Sequence, residues 1–98
     1  MARLAGKVAL ITGAGNGMGQ VASMVFASEG ARIVVADFSE TGGAETVAAV
    51  EAAGGEAAFV KVDVANAEQV EAMVAFAMET YGSLDVLYNN AGDRKSVV

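Results

Sequence analysis

The chain has 98 residues, 54% of them hydrophobic, with twelve acidic against six basic side chains and a net charge of −6. It contains no Cys, His, Pro or Trp. The length fits one domain, and the missing Cys and His exclude a disulfide framework, thiolate or imidazole zinc sites, and Ser-His or Cys-His nucleophiles. The acidic balance argues against a nucleic-acid partner, because phosphate binding needs a concentrated positive patch.

At the N-terminus, Arg3 and Lys7 precede an apolar run that extends only from Val8 to Ile11. That run is too short for a signal-peptide core or a membrane span. The expectation is a cytoplasmic chain with no membrane partner.

Four β-branched runs, Lys7–Thr12, Ala31–Asp37, Ala57–Asp63 and Leu84–Asn89, are bounded by Gly, Asp, Asn or Ser and read as strands. Three helical stretches separate them. In the first, Met18–Glu29, residues Met18, Val21, Val25 and Ser28 share one face, and Gly30 ends the helix. In the second, Glu40–Ala53, Val47 and Val50 point inward and Gly54-Gly55 stops the helix, although Gly42 and Gly43 each weaken it by about 1 kcal/mol relative to Ala. The third, Asn66–Tyr81, places Val70, Met73, Val74, Ala77 and Tyr81 at helical spacing. Asn66 with Gln69 resembles a capping box, and Gly82 stands where a C′ glycine belongs.

The order β-α-β-α-β-α-β predicts a parallel sheet with helical crossovers. Right-handed crossovers put the first two helices on one face and the third on the other. The expected fold class is therefore α/β, a three-layer Rossmann-type sheet of four strands in the order 3-2-1-4. A ligand would sit at the switch point between strands one and four, at their carboxyl ends.

Between the first strand and first helix stands T-G-A-G-N-G-M-G, Thr12 to Gly19. Gly13, Gly17 and Gly19 allow a tight turn and close approach of a pyrophosphate, and the helix N-terminus beyond offers free N–H groups. The plainer alternative is a flexible turn. Asp37 ends the second strand, eighteen residues after Gly19. A carboxylate there can accept from the hydroxyls of an adenosine ribose and would repel a 2′-phosphate. No Lys or Arg stands in the turn, where Asn16 and Met18 occur, or directly after Asp37, where Phe38 occurs. This points to NAD rather than NADP, with a helix cap or solvated acid as the alternative for Asp37.

Asp63-Val64, at the end of the third strand, fits the amine and flat face of adenine and fits equally an N-cap for the next helix. Asn89-Asn90-Ala91-Gly92 ends the fourth strand, where small residues would let a cofactor lie against the backbone. By itself that segment reads as a turn. The acidic helix positions Glu45, Glu51, Glu68, Glu71 and Glu79 read as solvated faces. Met73, Met78, Tyr81 and Tyr88 read as packing.

Together these segments resemble the short-chain dehydrogenase/reductase family over roughly residues 4 to 92. Thr12-Gly13-x-x-x-Gly17-x-Gly19 is similar to its cofactor motif, Asp37 to its NAD-selecting acid, Asp63-Val64 to its adenine pair, and Asn89-Asn90-Ala91-Gly92 to its N-N-A-G motif. The resemblance implies NAD(P)-dependent hydride transfer between an alcohol and a carbonyl, usually in a homodimer or homotetramer. It also implies cofactor contacts at Gly13, Asn16, Gly17, Met18, Gly19, Asp37, Phe38, Asp63, Val64, Asn90, Ala91 and Gly92. The family's catalytic Ser and Tyr-x-x-x-Lys lie beyond N-N-A-G and have no counterpart in these 98 residues. Neither Tyr81 nor Tyr88 has a Lys four positions on.

The expectation is an NAD-binding half-domain over residues 1–92 that binds NAD weakly and lacks catalysis, with a frayed tail over residues 93–98. The fourth strand would be an open edge, and only one helix would cover the second face, so exposed apolar surface would favour self-association. Two other classes fit part of the pattern. One is a non-catalytic nucleotide-binding or regulatory module. The other is a methyltransferase-like fold binding S-adenosylmethionine, which also pairs a glycine turn with an acid ending strand two.

Overall fold

A computed structural model describes residues 3–90 and the backbone of residues 96–97. The order is β1 (Val8–Thr12), α1 (Gly17–Ser28), β2 (Arg32–Asp37), α2 (Glu40–Ala52), β3 (Glu56–Lys61), α3 (Ala67–Tyr81), β4 (Val86–Asn89) and β5 (Ser96–Val97). The four long strands are parallel and lie in the order β3-β2-β1-β4, the arrangement that the crossover rule predicts. The two residues of β5 add antiparallel beyond β4, with Tyr88 opposite Val97 and Asn89 opposite Ser96. They belong to the segment expected to fray; an open strand edge presents unpaired N–H and C=O groups, and a short antiparallel segment satisfies some of them.

Strand alternation sorts the core into two clusters. Val8 and Leu10 of β1 join Val34, Ala36, Val62, Met73 and Ala77 on the α3 side. Ala9 and Ile11 join Ala14, Ala31, Ile33, Val35 and Val50 on the side of α1 and α2. β1 and β2 are flanked by strands on both sides and by helices on both faces, so their apolar runs are buried almost without interruption. In β4 every residue is only partly buried. Its start is fastened to β1 by Asp85, whose carboxylate accepts from the Val8 N–H at 2.9 Å while its own N–H donates to the Val8 carbonyl at 2.9 Å.

In α2 and α3 the expected inward positions Val50, Met73 and Ala77 are buried, but α1 buries different residues from those that its hydrophobic stripe suggests. Met18, Val21 and Val25 of α1 are all more than half exposed, and the buried positions are Gly19 and Ser23. Small side chains bring this helix close to the sheet, and Ser23 is satisfied internally by donating to the Gly19 carbonyl at 2.8 Å. In α3, Met73 is buried but Met78 is half exposed. Gly82 closes α3 with φ of 81°, in the left-handed region that glycine adopts without a Cβ penalty.

The two glycines that weaken α2 as an isolated helix are what allow it to pack. A Cβ on Gly42 would collide with the Gly15 carbonyl oxygen, and one on Gly43 would enter the Phe59 ring. The sign of the Gly43→Ala effect separates packing from propensity. Helix propensity alone would make the variant more stable by about 1 kcal/mol. Overpacking against Phe59 should instead destabilise it by about 1–3 kcal/mol, read as a lower urea midpoint.

Candidate functional site

At the carboxyl ends of the strands, Gly13, Asn16, Asp37, Phe38, Val62, Asp63, Val64 and Asn90 line a cavity of about 310 Å³. The switch point between β1 and β4 forms one wall. Seven of these eight are positions that the sequence singled out, Val62 being the addition. It is carried there because β3 and the residues after it lie beside β2, with the Val62 N–H donating to the Asp37 carbonyl at 3.1 Å. Gly17, Met18 and Gly19 form the first turn of α1, beside Asn16. Ala91 and Gly92 lie outside the described residues.

The glycine turn leaves Gly13 with φ of 63° and Gly17 with φ of 35°. Gly19 faces the Gly13 carbonyl so closely that any Cβ there would overlap it. Asn16 occupies the N-cap position of α1 but makes no side-chain capping bond, and no acid stands in the first turn. The opening N–H groups of α1 therefore have no side-chain acceptor among the described residues. An uncapped helix N-terminus behind a glycine turn offers donors and a positive dipole end to an anion.

Asp37 is not a helix cap. Its Oδ2 accepts from the Gly15 N–H at 2.8 Å and its Oδ1 from the Ser39 N–H at 2.7 Å. Ser39 is the cap of α2, its hydroxyl accepting from the Gly42 N–H at 3.1 Å. Asp63 also leaves capping to another residue. Its Oδ1 accepts from the Ala65 N–H at 3.0 Å, whereas Asn66 caps α3 by accepting from the Gln69 N–H at 3.2 Å. The other half of the expected box is redirected, because Gln69 Oε1 accepts from the Asp63 N–H at 2.7 Å.

Two carboxylates thus border the cavity, and none of its lining residues is Lys or Arg. Just outside, Lys61 Nζ sits 3.2 Å from Glu40 and 5.2 Å from the centroid of the Phe38 ring. Phe38 itself is 66% exposed, an apolar ring held at the rim beside the Lys61 ammonium.

Thr12 ties the switch point together. Its hydroxyl donates to Asn89 Oδ1 at 2.8 Å and accepts from the Asn90 N–H at 2.9 Å, bridging β1 to the end of β4. Asn90 Oδ1 is buried and finds no hydrogen-bond partner among the described residues. A buried carbonyl oxygen without a donor is costly in a native fold, so it marks a place where a ligand donor would be accepted. The contacts of Ser39, Gly15 and Thr46 were not legible beforehand. Thr46 donates to the Ala14 carbonyl at 2.7 Å and so pins α2 to the turn. A Ser-x-x-Gly spacing before α2 was the one available signal, and it indicates only a cap.

Tyr81 stands away from this cavity, with the Arg32 guanidinium carbon 5.8 Å from its ring centroid near the start of β2. Burial, and after it the Glu56 carboxylate, raises its pKa above the ordinary 10.0. An acid–base tyrosine needs the opposite shift to work near neutral pH.

The parallel sheet, its switch point and the glycine turn define a Rossmann-type nucleotide-binding fold. The family model described as short chain dehydrogenase matches residues 7–98. The chain belongs to the short-chain dehydrogenase family and corresponds to its NAD(P)-binding portion. It is 52% identical over 88 residues to an uncharacterized oxidoreductase of Thermotoga maritima, covering 89% of this chain and 34% of that protein. A hydroxysteroid dehydrogenase of Escherichia coli superposes with a TM-score of 0.90 at 37% identity, covering 93% of this chain and 39% of the other. A short-chain dehydrogenase/reductase of Burkholderia phymatum, solved in complex with NAD, gives a TM-score of 0.83 at 42% identity, covering 89% of this chain and 31% of the other. The chain spans about a third of the length of the curated relatives it matches.

Two measurements check this account of the site. Thr12→Val removes a buried hydroxyl that serves two partners, so urea unfolding should show a loss of about 1–3 kcal/mol. In Tyr88→Phe, Tyr81 is the sole tyrosine, and ultraviolet titration should place its midpoint above 10.0. Because folding favours the neutral phenol, that contribution to stability is complete below pH 10.0 and is lost as pH rises through the raised value.

Proposed function

We propose that the cavity receives the adenosine half of a dinucleotide and that the chain prefers NAD to NADP. The observation that carries the preference is the Asp37 carboxylate, anchored by two backbone N–H groups at the edge of the cavity. Each carboxylate oxygen has two lone pairs, so the anchored group still has acceptors left for the ribose hydroxyls. A 2′-phosphate would meet that negative charge with no Lys or Arg in the lining to offset it.

In this reading the pyrophosphate lies over Gly13, Asn16, Gly17 and Met18, against the uncapped start of α1, where Gly19 permits the close approach. Adenine lies between Phe38 and the Asp63-Val64 pair, with the Asp63 carboxylate facing the exocyclic amine. Asn90 Oδ1 accepts a donor from the nucleotide, and Ala91 and Gly92 are assigned cofactor contacts as members of the same motif. Bound NAD supplies a nicotinamide that accepts or gives hydride; the residues named here hold and orient the nucleotide. The sequence contains no Tyr-x-x-x-Lys pair, so we assign this chain by itself binding without turnover. For the longer family members, hydride transfer between an alcohol and a carbonyl is the activity such a portion would serve.

Thermal unfolding with NAD, NADP and S-adenosylmethionine tests the reading. A ligand at about a hundred times its Kd should add roughly 2.7 kcal/mol to the folded state. NAD should raise the melting temperature more than NADP at equal concentration, and S-adenosylmethionine should leave it unchanged. A larger shift with NADP would overturn the preference, and a shift with S-adenosylmethionine alone would favour a methyltransferase-like site.

A further inference from the structure

Gly15 occupies an unspecified position of the glycine motif, between the turn glycine Gly13 and Gly17. Its φ is not in the left-handed region where Gly13 and Gly17 lie. An L-residue could therefore adopt its backbone, and what a side chain lacks there is space. A Cβ on Gly15 would stand 2.8 Å from Asp37 Oδ2, 2.9 Å from Asp37 Cγ and 3.0 Å from the backbone carbon of Gly42. The same residue donates its N–H to Asp37 Oδ2 at 2.8 Å. Its carbonyl oxygen packs against Gly42, where a Cβ would collide with it, and accepts from Gln20 Nε2 at 3.3 Å.

We propose that Gly15 is a specificity-determining position: its bare backbone draws the Asp37 carboxylate over the glycine turn and holds it in the orientation that reads the ribose. The inference rests on the cavity being a dinucleotide site, but the latch between residues 15 and 37 is a contact within the protein and can be tested without nucleotide. Two groups crowd the place a side chain would take. The backbone of Gly42 is fixed by the Ser39 cap and by Thr46, which donates to the carbonyls of both Ala14 and Gly42. The carboxylate of Asp37 is the free end of a side chain, so it is the group that gives way. A methyl group at position 15 would thus push the acid off its N–H without changing any charge in the protein. Selectivity then depends on where the carboxylate is held as well as on its presence.

The test compares Gly15→Ala, Asp37→Ala and the double variant in the full chain, with Kd measured for both NAD and NADP. Gly15→Ala should weaken NAD about tenfold or more, the scale of one charge-assisted hydrogen bond, while NADP binding is unchanged or tighter. The NAD-to-NADP ratio then approaches that of Asp37→Ala, and the double variant adds nothing beyond Asp37→Ala. A merely structural glycine would weaken both nucleotides in parallel, and a retained wild-type ratio in Gly15→Ala overturns the proposal.

Amide hydrogen exchange at Gly15 in nucleotide-free Asp37→Ala supplies a readout that does not need Gly15→Ala to fold. Exchange about tenfold faster than in wild type is expected when the carboxylate acceptor is lost. If the wild-type chain binds neither nucleotide, the cofactor reading fails by itself and this amide decides the latch. Unchanged exchange sinks it, and faster exchange upholds it.

Discussion

The parallel pairing of β1 with β2 sets Thr12 level with Ala36, and the Ala14 N–H continues the contact by donating to the Ala36 carbonyl at 3.2 Å. That register delivers Asp37 to the turn following β1, where the Gly15 N–H receives it. A shift of one residue would turn every side chain of β2 to the opposite face, placing Ile33 and Val35 against α3 and carrying the acid away from the turn. The two core clusters forbid the shift, because Val34 and Ala36 already fill one face and Ile33 and Val35 the other. Burial in the middle of the sheet thereby fixes the geometry of a polar group at its end.

Small residues determine how closely the layers approach around that point. Gly19 and Ser23 bring α1 down on the sheet, and Gly42 and Gly43 bring α2 against the glycine turn and Phe59. Each glycine costs helix propensity, and the compensation comes from contacts that an isolated helix does not have. The exposed row Met18, Val21 and Val25 shows the same principle from the other side. Packing of α1 through small residues at its start leaves this row on the outer surface, while Met24 and Phe26 pack against the core. The hydrophobic stripe of α1 consequently says little about which way that helix faces.

The polar groups at the strand ends divide the work of capping and holding. Ser39 and Asn66 take the helix caps. Asp37 and Asp63 are left to bond backbone N–H groups at the cavity while keeping acceptor capacity facing it. Thr12 joins β1 to the end of β4 through Asn89 and Asn90, which positions the orphaned Asn90 oxygen at the switch point. Family membership accords with this arrangement, since the related proteins share the fold across nine-tenths of this chain. Among the described residues no helix is long and apolar enough to cross a membrane, and no cluster of acidic side chains could hold a metal ion.

By itself the sequence determined the alternation of strands and helices, the crossover order and the residues that meet at the carboxyl ends. These follow from apolar periodicity, turn chemistry and the handedness of parallel crossovers, all of which act over short stretches of chain. It could not decide between capping and ligand roles for Asp37 and Asp63, because the competing donors are remote or supplied by neighbouring caps. Only the tertiary structure brought Gly15 to Asp37 and Gly42 to Gly15, twenty-two and twenty-seven residues apart in the chain. Such contacts depend on interlayer distance, which is set by the volumes of side chains facing one another across the fold. Periodicity within one segment carries no information about that distance.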